Sequence, residues 1–207
     1  MAVVCSASDP QQLRALLTVF DPKTIRGVVS FGVAGGLDPS LKSGDVVVAT
    51  EVVAGDARWL AGVSLSEEQI ASIALGRCRV VRGGLAGAEE VIAGQSSKAA
   101  LRSETGALAV DMESHIAAAY AAEAGLPFAA LRVISDPASR ALPALARTAI
   151  KPNGEIDLGM ILRGVARNPR ALRGLVSTGL DFNRALKSLR GCRGFLFGRE
   201  SLVTANL

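Results

Sequence analysis

Three short stretches of this 207-residue sequence carry side chains and backbone suited to acid–base or hydrogen-bonding chemistry. Asp111-Met112-Glu113 sits where the apolar run 108–110 gives way to an alanine-rich helical pattern. Ser135-Asp136-Pro137 closes the apolar run 126–134, and Gly32-Val33-Ala34-Gly35-Gly36 closes the run 25–33. A carboxylate at a strand end can accept hydrogen bonds or, where burial raises its pKa, donate a proton. Each acid also has an ordinary reading. Asp111 and Glu113 can cap a helix and complement its dipole. Asp136 can be a turn residue, because Pro137 keeps it out of the helical region. The glycines put pliable backbone at the carboxyl end of a strand, where open α/β sheets bind ligands, or they make a tight turn. Arg132, inside an apolar strand, needs a carboxylate partner, and Glu113 and Asp136 are the candidates. His115 is the only histidine and is read as packing on its helix.

Several other chemistries are excluded. Residues 36–43 come close to a phosphate-binding Walker loop, but Leu41 stands where the second glycine must be and a strand follows instead of a helix. Gly32, Gly35 and Gly36 do not have the dinucleotide-binding spacing. With one histidine and no Cys-x-x-Cys pair, no metal site is expected.

The elements that position these residues alternate. The hydropathy pattern predicts strands over 3–7, 25–33, 46–54, 78–85, 90–93, 108–110 and 126–134. It predicts helices over 10–20, 66–75, 98–104 and 112–124, and mostly helix from 142 onward with breaks at 152–154 and 168–169. Asp9-Pro10 reads as an N-cap and first helical residue, and Ser66 to Gln69 as a capping box. Trp59 falls in a loop over 55–62, either bordering a pocket or packing in a turn. Strands alternating with helices predict an α/β protein with a mostly parallel, covered sheet.

Composition sets the outer bounds. Apolar residues make up 49% and charged residues 20%, which excludes bulk disorder. No run approaches the length of a membrane-spanning helix, and the N-terminus has no basic signal-peptide region. Three scattered cysteines argue for a reducing cytoplasm over a disulfide framework. The net charge of +4 is unevenly divided. Residues 1–139 hold 11 basic against 15 acidic side chains, and residues 140–207 hold 12 against 4. The division suggests a core over 1–139 and a basic helical extension over 140–207. That extension suits an anionic surface; nucleic acid is not expected, because no reader motif is present.

Four motifs occur in order: Gly32 to Leu37, Gly44-Asp45 with the strand after it, Val110 to Ser114, and Leu131 to Asp136. Together they resemble the nucleoside phosphorylase and nucleosidase superfamily. A closer likeness, carried by residues 36–45, 107–115 and 125–128 and by the basic tail with Asn168-Pro169, is to the hopanoid-biosynthesis-associated phosphorylases, or adenosylhopane nucleosidases. The resemblance implies a three-layer fold around a mixed, mostly parallel sheet. The resemblance further implies that the chain is expected to begin at the family's second strand, the family's first strand finding no counterpart before Val3.

The implied activity is cleavage of the N-glycosidic bond of a purine nucleoside, with release of adenine from adenosylhopane as the specific expectation. Asp136 matches the aspartate that acts at purine N7, and Glu113 the glutamate that accepts hydrogen bonds from ribose hydroxyls. Met112 matches an apolar wall under the sugar, Val91 and Ile92 lie near the base, Ala34 and Gly35 offer backbone near the sugar or anion, and Ser135, beside Asp136, is a further substrate-binding residue. Val33 and Ser30 replace donors that many family phosphorylases use for phosphate, which favours water as nucleophile over inorganic phosphate. No cofactor is implied, and association into homo-oligomers is. A hopanoid substrate carries a large apolar tail, so the basic amphipathic stretch 157–193 is expected to dock peripherally on an anionic membrane face. The alternatives are a methylthioadenosine or adenosylhomocysteine nucleosidase and a non-catalytic nucleoside- or lipid-binding relative.

Overall fold

The computed structural model describes residues 2–4, 9–62, 78–143 and 171–192. The helix expected over 66–75, the helical stretch 144–170 and most of the strand expected over 3–7 lie outside the described residues. The first helix, α1 (Pro10–Leu17), forms as its sequence predicts: Asp9 accepts from the backbone N–H groups of Gln11 and Gln12, and Pro10 takes the first turn. It stops short of Phe20, and a 3₁₀ turn (Pro22–Thr24) capped by Asp21 follows. Next come β1 (Val28–Gly36), β2 (Val46–Ala54), β3 (Ala57–Leu60), β4 (Val80–Gly87), α2 (Gln95–Thr105), β5 (Ala109–Asp111), α3 (Ser114–Glu123), β6 (Phe128–Asp136) and α4 (Ala171–Gly191).

Two expectations need correction. Residues 57–60, read as loop, form β3, which pairs antiparallel with β2 through the Gly55-Asp56 turn, so Trp59 lies opposite Val52. Gly55 has φ +56°, the conformation such a turn requires and glycine supplies. Residues 90–93, read as a strand, have no regular structure. Both edges of β4 are already taken, by β2 and β5, so no ladder position remains there.

The sheet is mixed, in the order β3-β2-β4-β5-β1-β6, and β6 also pairs with β2. That last pairing closes five of the strands into a ring. The long ladders β1–β6 and β2–β4 are parallel; β1–β5, β2–β3 and β2–β6 are antiparallel. Alternate residues of β2 and β6 serve two cores, as a period of two demands. Val47, Ala49, Ala130 and Ile134 join Ala117, Ala118 and Ala121 of α3, while Val46, Val48, Leu131 and Val133 join Ala185 of α4 and Cys192 just beyond it. The sheet is therefore sandwiched between α3 and α4. Burial of each such valine or leucine contributes roughly 1.5–3 kcal/mol, so this double packing is what seats β6, whose end bears Asp136.

Candidate active site

At the ends of β1, β5 and β6 the chain gathers its buried charge. β1 and β6 stay in parallel register from Val28↔Phe128 to Ala34↔Ile134; the next pair is Gly35↔Asp136, leaving Ser135 as an extra residue. Such a bulge re-aims the side chains around it. Ser135 Oγ lies 3.1 Å from the carbonyl of Ala34 and 2.7 Å from Asp136 Oδ1. Gly35 also pairs with Val110 on its other side, so the segment leading to Glu113 and the residue Asp136 flank one glycine. A Cβ on Gly35 would sit 3.2 Å from Asp136 Oδ2, tighter than ordinary contact.

The three acids have separate tasks. Asp111 does the capping: its Oδ1 accepts from the backbone N–H groups of Glu113 (2.9 Å) and Ser114 (2.7 Å), and its Oδ2 accepts from Ser114 Oγ (2.6 Å). Asp111 also takes the bond from Arg132 Nε, at 2.5 Å. Burial pushes the Asp111 carboxyl up, but the Arg132 charge and these donors outweigh it, and the net direction is down. Glu113 is left without a capping bond. Its Oε2 lies 3.6 Å from Arg132 Nη2, and burial, reinforced by the Asp111 charge and opposed by Arg132, raises its pKa.

Arg132 Nη2 further donates to Ser30 Oγ at 2.7 Å. Its partners are thus Asp111 and Glu113, not the alternative Asp136. Gly32 makes room for it: a Cβ there would stand 2.6 Å from Arg132 Nη1.

Asp136, 6% exposed, belongs instead to Lys98. Lys98 reaches in from α2, is itself fully buried, and donates to Asp136 Oδ2 at 2.5 Å and to the carbonyls of Pro137 and Arg140, each at 3.2 Å. Burial raises the Asp136 pKa, and Lys98 pulls against that rise. Sequence reasoning missed Lys98. A lysine on a short polar helix is ordinarily solvated, and nothing in its type or spacing marks it as buried.

A cavity of about 930 Å³ runs along β1 between α1 and α3. Its wall is mostly apolar, including Val4, Leu13, Leu17, Phe20, Ile25 and Tyr120, while Ser30, Glu113 and Arg132 form a polar patch. Asp136 does not line it, and neither do Ala34, Gly35, Met112, Val91 or Ile92. Val91 is exposed, and Ile92 packs against Leu37, Ala86, Ala107 and Val110. The structure thus brings Ala34, Gly35, Ser135 and Asp136 together, and Ile92 packs on Val110, the other neighbour of Gly35; Glu113 lies in the wall of the cavity, which Met112 and the exposed Val91 do not line. His115 bonds through Nε2 to Glu89 Oε1 at 2.9 Å, and Glu89 in turn holds Arg14 of α1. Among the described residues no group of His, Cys, Asp or Glu side chains is arranged to hold a metal ion.

A mixed sheet closed through its second and last strands, with acids at the ends of β5 and β6, has a known counterpart. The family model of the phosphorylase superfamily matches residues 9–156. The chain belongs to the phosphorylase superfamily. Solved structures share the superfamily fold. A 5'-methylthioadenosine/S-adenosylhomocysteine nucleosidase from Helicobacter pylori is 21% identical, with a TM-score of 0.56 over 92% of this chain and 77% of that one. The corresponding nucleosidase from Colwellia psychrerythraea, solved with adenine, is 23% identical, with a TM-score of 0.52 over 64% of this chain and 63% of that one. The superfamily match makes this chain an enzyme, and the described sheet and helices supply its frame.

Proposed function

We propose that this enzyme cleaves the N-glycosidic bond of a purine nucleoside, with Glu113 holding the ribose hydroxyls and Asp136 delivering a proton to the departing base. The observation that carries the reading is the division of labour between Asp111 and Glu113. Asp111 caps the helix and balances Arg132, which leaves Glu113 as a half-buried carboxylate in a cavity wall with acceptor capacity to spare. A carboxylate there stabilises the positive charge that builds on the sugar as the bond breaks. The raised pKa of Asp136 suits a group that must carry a proton near neutral pH. Gly35 pairs with Asp136 on one side and with Val110, three residues before Glu113, on the other, so the nucleoside is proposed to reach both acids over that glycine.

Water is the proposed nucleophile. The guanidinium of Arg132 is already matched by two carboxylates, and a phosphate beside Glu113 would face a like charge. The chemistry needs no cofactor. Adenosylhopane is the proposed substrate: the long apolar wall of the cavity suits a large apolar tail attached to the nucleoside. The chain is further proposed to act as a homo-oligomer and to meet an anionic membrane face through α4, whose Val176, Leu180, Lys187 and Arg190 are exposed. No helix among the described residues is long and apolar enough to cross a membrane. Each basic residue near anionic lipid contributes roughly 1 kcal/mol. Co-sedimentation with anionic vesicles at low salt, reversed at high salt, is expected; no binding at either salt would remove that part of the proposal.

The activity is tested by adenine release from adenosylhopane, methylthioadenosine and adenosylhomocysteine, each with and without phosphate. The expected result is release from adenosylhopane, independent of phosphate, with a free ribosyl product. Strict dependence on phosphate would mean phosphorolysis, preference for the small nucleosides would favour the methylthioadenosine or adenosylhomocysteine reading, and no release from any would overturn the proposal.

A further inference from the structure

Lys98 is fully buried, and its ammonium is turned to polar groups only: one carboxylate oxygen and two backbone carbonyls. A buried ion pair is weak support for stability, because desolvation of both charges offsets their attraction. Its partners are specific. All three protons of Nζ are used, on Asp136 Oδ2, the Pro137 carbonyl and the Arg140 carbonyl, so one side chain fixes both the carboxylate and the turn that follows it. We propose that Lys98 is a positioning residue for Asp136, holding one carboxylate oxygen so that the other faces the leaving base, and setting the pH range over which Asp136 carries its proton. This rests on the glycosidic-cleavage reading above.

The geometry separates the two oxygens of Asp136. Oδ2 is committed to Lys98, and among the described residues Oδ1 has one hydrogen-bond partner, Ser135 Oγ. The single hydroxyl proton of Ser135 has two acceptors in reach, Asp136 Oδ1 and the Ala34 carbonyl. When Oδ1 is ionised, Ser135 donates to it. When Oδ1 carries a proton, Ser135 turns to Ala34 and that proton is free to leave toward the base. Transfer breaks the Oδ1–H bond, forms a bond to the ring nitrogen and leaves Asp136 ionised beside the Lys98 ammonium, which stabilises the product state. The charged groups around Asp136 are Lys98 on α2, Asp181 on α4, and Arg140, whose guanidinium is bonded to Asp181; Arg184 also pairs with Asp181.

The test compares wild type with Lys98→Gln, Lys98→Met and Lys98→Arg in two readouts: the pH profile of kcat/KM for adenine release, and the ¹³C NMR titration of the Asp136 carboxyl, which needs no activity. Asp136 acts in its protonated form, so loss of the neighbouring positive charge moves the alkaline limb upward. The neutral variants are expected to shift the limb and the carboxyl titration up by about 1–3 pH units, and the arginine variant to leave both near wild type. A neutral variant that lowers kcat without moving either titration would overturn the proposal. Failure of both neutral variants to fold, with a wild-type profile for Lys98→Arg, would also count against it, since Lys98 would then be scaffold. If wild type releases no adenine while the carboxyl titration shifts as expected, it is the reaction assignment that fails, and the Lys98–Asp136 coupling stands.

Discussion

Asp111 and Glu113 are two residues apart and chemically alike, yet their surroundings give them opposite titration. Asp111 is held charged by Arg132 and three donors; Glu113 is pushed toward its neutral form by burial. The consequences of mutation differ accordingly. Asp111→Asn removes the ionic partner of a buried guanidinium and is expected to cost about 3–5 kcal/mol of stability in denaturant titration. Glu113→Gln keeps the shape of a side chain that caps nothing. It is expected to leave stability within about 1 kcal/mol of wild type while lowering adenine release about 100-fold. The reverse pattern, with an inert Asp111 and a destabilising Glu113, would mean that the two roles have been exchanged. In the proposed reaction Asp136 works protonated, and its pKa is raised, so activity is expected to persist above the ordinary aspartate range and to fall as pH rises.

At the scale of elements, what could be read from the sequence was whatever depends on local pattern. Asp9-Pro10 announced α1, the valines of residues 46–54 announced the strand β2, and the positions of Asp111 and Asp136 at the ends of β5 and β6 followed from where apolar runs stop. What could not be read depends on partners distant in sequence. Residues 57–60 (Ala-Arg-Trp-Leu) are too few to show a period, and become a strand only because β2 offers its edge; residues 91–93 are apolar and do not, because β4 has no edge left. Lys98 and the assignment of Arg132 to Asp111 belong to the same class. β4 and α3 also meet without slack: a Cβ on Gly87 would lie 2.4 Å from His115 Cβ, and both are fixed to backbone. Gly87→Ala is expected to destabilise by about 1–3 kcal/mol through overpacking, read as a lower midpoint in urea. An unchanged midpoint would show that α3 can move away from β4.

For the whole molecule, the same charges set the response to acid. Glu113 and Asp136 have raised pKa values, so the penalty for burying them charged is relieved as pH falls toward their ordinary values of 4.5 and 3.8. Asp111, Asp38 and Glu89 have lowered values, Glu89 down to about 2 through its bonds to Arg14 and His115. Their contribution is present above the unfolded pKa and disappears as pH falls through the folded one. Stability is therefore expected to rise gently from neutral pH to a mildly acid maximum and then collapse between about pH 4 and pH 2; a steady increase from pH 4 to pH 8 would contradict that balance. The proposed function stands or falls on Glu113 and Asp136 serving one nucleoside. The most direct test is kcat/KM for adenine release by wild type, Glu113→Gln, Asp136→Asn and the double variant. Release by wild type, losses of about 100-fold or more in each single variant, and a double variant near the uncatalysed background are predicted. Wild-type rates in either single variant would contradict the account.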